Sequence, residues 1–222
     1  MGSKMLKAVI FDMDGVIIDS HPVHREAWRV FLNTIGRPVS DAQLDFVLDG
    51  RKRREILTYF LGELSEDEIR QYGELKDRFY REQLLQITLI PGFVQMLSSL
   101  RKAGIATAVA TSASESRALH VFEQLQLGGS FDVVITGNDV EFGKPDPSIY
   151  ALTCQRLKTG PGTSIAFEDA VSGVKAARAA GLSCVGVASH EKSDKLLAAG
   201  AACVVDNFLN LSLWELEGLI SH

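Results

Sequence analysis

Lys7-Ala8-Val9-Ile10-Phe11-Asp12-Met13-Asp14-Gly15 carries a short apolar run straight into two carboxylates one residue apart and then a glycine. The run has the composition of a strand buried on both faces. A turn at Gly15 aims both side chains and the intervening carbonyl at one point. Two anions there call for a cation, and oxygen-only donors suit Mg²⁺. A lone D-x-D-G is equally compatible with an Asp-rich surface turn. Its meaning depends on what the later strands bring to the same edge.

The totals bound the answer. At 222 residues the chain accommodates one domain plus an insertion. Hydrophobic content of 46% and charge of 23% describe an ordinary globule. A net charge of −5 and a pI near 5.6 speak against nucleic acid as a partner, because phosphate backbones are bound by excess Lys and Arg. Cys154, Cys184 and Cys203 show no metal-binding spacing and read as reduced core residues. No signal peptide and no membrane span is expected, which places the protein in the cytoplasm.

From His21 to about Leu89 the pattern is helical. Val23, Ala27, Val30 and Phe31 recur at helical spacing before Gly36-Arg37-Pro38 ends the helix. A short helix after Asp41 and a third over 51–61 follow, and Ser65 with Glu68 forms a capping box that opens a long fourth. At Ile90-Pro91-Gly92 the character changes to α/β alternation. Strands are expected over 105–110, 133–135, 164–167, 184–187 and 202–205. Helices are expected over 93–102, 115–125, 147–157, 170–180 and 193–199, with a last one from about Ser212 and Asp146 as the cap of the 147–157 helix.

The strand at 8–11 has pairing partners only beyond residue 104. The reading is therefore a Rossmann-like α/β core, with a parallel sheet formed by residues 1–16 plus 90–222 and an inserted four-helix unit over 17–89. Ligands of such sheets sit at the carboxyl ends of the strands. Standing at those ends are Asp12 and Asp14, Thr111-Ser112, Gly143-Lys144-Pro145 and Glu168-Asp169. Each alone reads as a helix cap or a turn. Together they supply what phosphoryl transfer needs: a carboxylate nucleophile, a second carboxyl for protons, acidic metal ligands, and a hydroxyl and an ammonium for phosphate oxygens.

D-M-D-G at 12–15, T-S at 111–112, K-P-D-P at 144–147 and F-E-D-A-x-x-G at 167–173 resemble, in order and spacing, the four motifs of the haloacid dehalogenase-like superfamily. The helical insert resembles the small cap that some members carry between the first two motifs. The resemblance implies that Asp12 attacks phosphorus to give an aspartyl phosphate. It further implies Mg²⁺ held by Asp12, the Asp14 carbonyl and Asp169, with Glu168 as an outer ligand. Asp14 would be the general acid and base, and starts protonated under the influence of the Asp12 charge. Thr111 and Lys144 would hold the phosphate, with Ser112 and Ala113 beside them on the substrate side. Dehalogenases and phosphonatases of the superfamily lack an aspartate at the position of Asp14, so its presence points to phosphate esters.

Three insert residues refine the substrate. Ile69, Tyr72, Lys76, Phe79 and Gln83 share a helix stripe, so Lys76 lies on the inward face. His24 shares a face with Trp28 and Phe31. Arg51, Lys52, Arg53 and Arg54 load the start of a helix with charge that its dipole disfavours, a penalty that a bound anion reverses. Arg53 tilts inward and the other three are expected in solvent. His24, Arg53 and Lys76 match residues that β-phosphoglucomutases and related sugar phosphatases place over the active site. Ser114, however, stands where the mutases carry a second phosphate-gripping lysine. The resulting expectation is a Mg²⁺-dependent phosphatase of a small sugar phosphate. A β-phosphoglucomutase is the alternative, and a non-catalytic metabolite-binding module is an alternative of another class.

Overall fold

The computed structural model describes residues 5–220. Residues 1–4 and 221–222, which the sequence reading assigns to the core unit, lie outside the described residues. The elements run in the order β1 (Ala8–Phe11), β2 (Ile18–Asp19), α1 (His21–Thr34), α2 (Asp41–Leu44), α3 (Arg53–Leu61), α4 (Glu66–Arg81) and β3 (Thr88–Leu89). Then follow α5 (Phe93–Lys102), β4 (Ala106–Ala110), α6 (Glu115–Gln124), β5 (Val133–Ile135), α7 (Ser148–Leu157) and β6 (Ser164–Glu168). The chain finishes with α8 (Val171–Ala179), β7 (Ser183–Val187), α9 (His190–Ala198), β8 (Cys203–Val205) and α10 (Leu213–Gly218).

Six strands form one parallel sheet in the order β5-β4-β1-β6-β7-β8. β1 lies in the middle, paired with β4 on one side and β6 on the other, so Asp12 leaves the sheet between the ends of those two strands. Successive strand residues point to opposite faces. Val9, Phe11, Val109, Ile165 and Phe167 accordingly enter a core with α5, α6 and α10, whereas Ile10, Ala108, Ala110 and Ala166 enter a second core with α7, α8 and α9. Phe11 stacks on Phe167 at 5.3 Å between ring centres and meets Phe93 edge-on at the same distance. Such pairs add about 0.5–1.5 kcal/mol each beyond their burial, and here they brace the strand that presents Asp12.

Helices α1 to α4, with the 3-10 turn Asp45–Leu48 after α2, build a separate small core from Trp28, Phe31, Leu32, Leu44, Val47, Ile56 and Leu57, with Ile69, Tyr72 and Phe79 of α4 packed against it. The Ser65 capping box opens α4 as expected. The two segments connecting this insert to the sheet pair with each other. Ile18 faces Leu89 and Asp19 faces Thr88 in the antiparallel β2 and β3, a feature too short for periodicity to reveal.

Several boundaries shift by a residue or more from the sequence reading, and three of the shifts have a visible cause. α3 begins at Arg53 because Lys52 is still extended. α7 begins at Ser148, and Asp146 caps it from one residue further back by accepting from the Ser148 amide at 2.9 Å. α9 begins at His190 because Ser189, not Ser193, is its extended cap residue. Cys154 and Cys184 are buried free thiols, and Cys203 is half-buried. No helix among the described residues is long and apolar enough to cross a membrane.

Candidate active site

The carboxyl edge of the sheet gathers the core residues singled out from the sequence. Lys144 is its hub: its Nζ donates to Asp12 Oδ1 at 2.7 Å, Glu168 Oε1 at 2.5 Å and the Ala110 carbonyl at 3.1 Å. All three ammonium donors are thereby used, and the side chain is fully buried. Tyr150 also donates to Glu168 Oε1. The second carboxylate oxygen, Glu168 Oε2, is buried and has no hydrogen-bond partner among the described residues.

Asp12, Glu168 and Asp169 each offer an oxygen within 4.8 Å of the others. Lys144 pairs with Asp12 and Glu168, and His21 Nε2 lies 2.7 Å from Asp169 Oδ2, so the charge of the three carboxylates is only partly balanced in a dry place. Burial, with Glu168 and Asp169 nearby and Lys144 opposing, pushes the Asp12 carboxyl well above its ordinary range. An oxygen-only donor set, surplus charge and an orphaned buried carboxylate oxygen together fit a hard divalent cation.

Two glycines make this close approach possible. A Cβ on Gly15 would sit 2.3 Å from Asp169 Oδ2 and 2.7 Å from His21 Nε2, and Gly15 itself has φ +77°. A Cβ on Gly173 would sit 2.1 Å from the Glu168 carboxyl. The glycines of D-M-D-G and F-E-D-A-x-x-G are thus vacancies that the acidic residues fill.

Asp14 projects toward the insert. Its Oδ1 accepts from Ser20 Oγ at 2.6 Å and Arg117 Nη1 at 3.1 Å, its Oδ2 accepts from Arg117 Nη2 at 2.8 Å, and His24 Nε2 lies 3.1 Å from Oδ1. Against the effect of burial, Arg117 and His24 hold the Asp14 carboxyl well below the usual range. The sequence reading had the neighbouring Asp12 charge raising it. Arg117 reverses that expectation because a bidentate guanidinium outweighs a neighbouring carboxylate that is itself paired with Lys144.

Thr111 Oγ1 accepts from the Ala113 amide at 3.1 Å, and Ser112 Oγ donates to the Gly50 carbonyl of the insert at 2.5 Å. Thr111 and Ala113 are almost fully buried. On the insert side His24, Arg53 and Lys76 line the same cleft, with Trp28, Val47 and Ile56 as its apolar wall. Lys76 Nζ lies 3.4 Å from His24 Nδ1 and 3.8 Å from Asp77 Oδ1, and 4.7 Å from the centre of the Tyr80 ring. Burial, with Arg117 nearby, brings Lys76 down to about 7, and burial, with Lys76 nearby, brings His24 down to about 3. Arg53 is paired with Asp77 and reaches Ser114 Oγ at 3.4 Å.

Lys52 departs from the solvent position expected of it. Its Nζ donates to the carbonyls of Val140 at 2.7 Å and Glu141 at 3.1 Å, tying the insert to the loop before Lys144. Arg51 is half-buried between Asp49 and Glu55, whereas Arg54 is exposed. Three site residues escaped the sequence reading. Ser20 and His21 sit just after the first motif, and no residue pattern separates them from a helix cap. Arg117 did leave a signal: it is a cation in the first turn of α6, the same dipole-disfavoured placement that drew attention to Arg53.

Comparison with known proteins accords with this geometry. Residues 6–181 match the model of a family described as haloacid dehalogenase-like hydrolase. The chain is 36% identical over 207 residues to a phosphorylated carbohydrates phosphatase of Thermotoga maritima, covering 90% of this chain and 94% of that one. It is 30% identical to a β-phosphoglucomutase of Bacillus subtilis, over 82% of this chain and 83% of the relative. A crystal structure of β-phosphoglucomutase from Clostridium difficile superposes with a TM-score of 0.86 at 27% identity, covering 97% of each chain. With the family model spanning most of the sequence and such relatives spanning nearly all of it, the chain belongs to the haloacid dehalogenase-like hydrolases and is an enzyme.

Proposed function

We propose that the protein is a phosphatase of small sugar phosphates acting through a phosphorylated Asp12. The observation that carries the reading is the buried Lys144, held between Asp12 and Glu168, with Asp14 two residues further along the chain. A merely structural lysine has no need of an acidic cluster with an unpaired oxygen beside it. Phosphatase and phosphoglucomutase relatives support a phosphorylated carbohydrate as the substrate.

In this reading an Asp12 oxygen forms a bond to phosphorus as the bond to the sugar oxygen breaks, and Asp14 gives that oxygen a proton, which it can carry only once the pull of Arg117 on its carboxylate is relieved. Asp14 then takes a proton from water as the water attacks phosphorus, which releases phosphate and restores Asp12. Lys144 and Thr111 hold the phosphoryl oxygens. Asp12, the Asp14 carbonyl and Asp169, backed by Glu168, would hold Mg²⁺, whose charge when bound offsets that of the carboxylates and the phosphate.

The insert over 17–89 serves as a cap, with hinges near 16–20 and 89–92, where the two connecting segments pair in β2 and β3. Its His24, Lys76 and Arg53 face the substrate, and its closure excludes water. Three free cysteines fit a reducing compartment, and we place the enzyme in the cytoplasm.

A mutase is the second reading, favoured by Arg53, whose guanidinium reaches Ser114 Oγ at 3.4 Å in a cleft that Arg117 also lines. Release of inorganic phosphate from a panel of hexose and pentose phosphates, with and without Mg²⁺, tests the primary reading. Phosphate release in Mg²⁺ alone supports it. Isomerisation of β-glucose 1-phosphate without phosphate release would favour the mutase instead.

A further inference from the structure

Gly73 stands in the middle of α4, where glycine is the poorest choice after proline. The space it leaves is taken by Arg53 of α3: a Cβ on Gly73 would fall 2.6 Å from both Cδ and Nη1 of that side chain and 3.1 Å from its Cζ. One turn further along α4, Asp77 Oδ2 accepts from Arg53 Nη2. The same Nη2 reaches Ser114 Oγ of the sheet domain at 3.4 Å. Gly73 and Asp77 together form a seat in which the arginine lies across the helix, with its guanidinium at the seam between insert and sheet.

The seat leaves the arginine usable. Both bonds fall on Nη2, so Asp77 and Ser114 do not engage the donors on Nε and Nη1. Arg53 is 29% exposed, and it lines the cleft together with Asp77. Asp77 itself is buried, and its Oδ1 has no hydrogen-bond partner among the described residues, with Lys76 Nζ 3.8 Å away. One carboxylate thus stands between Arg53 and Lys76. An ion pair that served only to join α3 to α4 would not require the helix to give up a side chain one turn away.

We propose that Gly73 and Asp77 are positioning residues that fix the reach of Arg53, and through it the length of leaving group the enzyme prefers. The proposal rests on the reading of Arg53 as the contact to the far end of the substrate. An arginine held at one point discriminates by distance. Sugar phosphates whose far oxygens meet it gain a charge-assisted bond, and esters without a polar far end gain nothing. Loosened from its seat, the same side chain must be ordered on binding, which weakens that preference.

The test compares Gly73→Ala, Asp77→Ala and Asp77→Asn with wild type, each also in the Arg53→Ala background. One ester is phenyl phosphate, which has no polar group beyond the ester. The other is whichever of glucose 6-phosphate, fructose 1-phosphate and β-glucose 1-phosphate the wild type turns over fastest. The quantity read is the preference, the ratio of kcat/KM for the sugar phosphate to that for phenyl phosphate. Gly73→Ala and Asp77→Ala are each expected to lower it about tenfold, the scale of one charge-assisted hydrogen bond, through KM for the sugar phosphate. Asp77→Asn, which keeps an acceptor for Arg53, should lower it by less. In Arg53→Ala none of the three should lower it by more than about twofold, because their effect passes through the arginine. The Tm of Gly73→Ala should not fall, since alanine is the better helix former and the group it displaces is a flexible side chain. A preference left unchanged by these variants, including a fall of both activities by one factor, would mean a structural role and overturn the seat. So would a preference lowered as much without Arg53 as with it. The two Asp77 variants decide the matter if Gly73→Ala does not fold. A wild type that releases no phosphate from any ester would overturn the phosphatase reading instead. The seat is then judged from the same cycle in Kd for glucose 6-phosphate by calorimetric titration, where no binding or no coupling to Arg53 overturns it.

Discussion

Lys144 Nζ donates to Asp12 Oδ1 at 2.7 Å across 132 residues of sequence, joining the end of β1 to the loop before α7. The contact holds the proposed nucleophile in place and balances part of the charge of two buried carboxylates. Replacement of Lys144 by Met should lower kcat by at least about a hundredfold, the scale of removing one preorganised donor. It should also destabilise the fold by about 3–5 kcal/mol, since Asp12 and Glu168 are left uncompensated. The double variant with Asp12→Asn should recover part of that loss, because the two residues are coupled. Additive losses in thermal melting would show that the pair is not a unit.

Gly173→Ala tests the acidic cluster from behind. The new methyl would fall 2.1 Å from the Glu168 carboxyl, and overpacking of this kind costs about 1–3 kcal/mol. A lower Tm is expected, together with weaker Mg²⁺ binding by calorimetric titration. An unchanged Tm would contradict the position of Glu168.

Lys76 links pH to binding. With burial holding it near 7 in the empty cleft, it loses its charge as pH rises through that value. The kcat/KM for a sugar phosphate should then fall above about pH 7, since that ratio reports the free enzyme. Arg at position 76 stays charged and should move the fall to higher pH. Stability goes the other way. Between about pH 7 and the ordinary lysine value near 10.4 the unfolded chain binds more protons than the folded one, so this residue's contribution improves as pH rises through the window. Below about pH 7 its full penalty applies, and Lys76→Met should raise Tm there while raising KM. A pH-independent difference in Tm between variant and wild type would refute the assignment.

Arg53 separates the two readings of the acceptor. For a phosphatase, Arg53→Ala should mainly raise KM, about ten- to a hundredfold, as loss of a charge-assisted contact to the far end of the substrate does. For a mutase it should abolish interconversion of β-glucose 1-phosphate and glucose 6-phosphate and leave slow hydrolysis. Efficient wild-type isomerisation primed with β-glucose 1,6-bisphosphate, with little free phosphate, would decide for the mutase.

The parts of this site that were legible in the sequence are those where a buried strand ends abruptly in polar residues. Asp12, Thr111 and Glu168-Asp169 announce themselves because short, mostly apolar runs stop there, and a parallel sheet aligns such ends on one edge. Lys76 was legible as a cation on an apolar stripe. The contact between Arg117 and Asp14 was not, because it spans 103 residues and joins a helix turn to a strand end. The place of Arg117 in the first turn of α6 marks it as an unusual cation, but nothing local names its partner. Lys52 was misplaced for the same reason: its partners are backbone carbonyls 88 and 89 residues away, and a carbonyl leaves no mark in the side-chain pattern. The direction of the Asp14 shift depends on this arginine, Arg117, which the immediate sequence neighbours of Asp14 do not reveal.

The central claim is that Asp12 carries the phosphoryl group. Rapid acid quench of the enzyme with a ³²P-labelled sugar phosphate in Mg²⁺, followed by peptide mapping, measures it most directly. The account predicts transient label on the peptide containing Asp12, sensitive to hydroxylamine, and none in Asp12→Asn, whose turnover should fall below about a hundredth of wild type against the millionfold or greater accelerations typical of enzymes. An unlabelled Asp12 peptide during turnover, with Asp12→Asn retaining more than that hundredth, would contradict it.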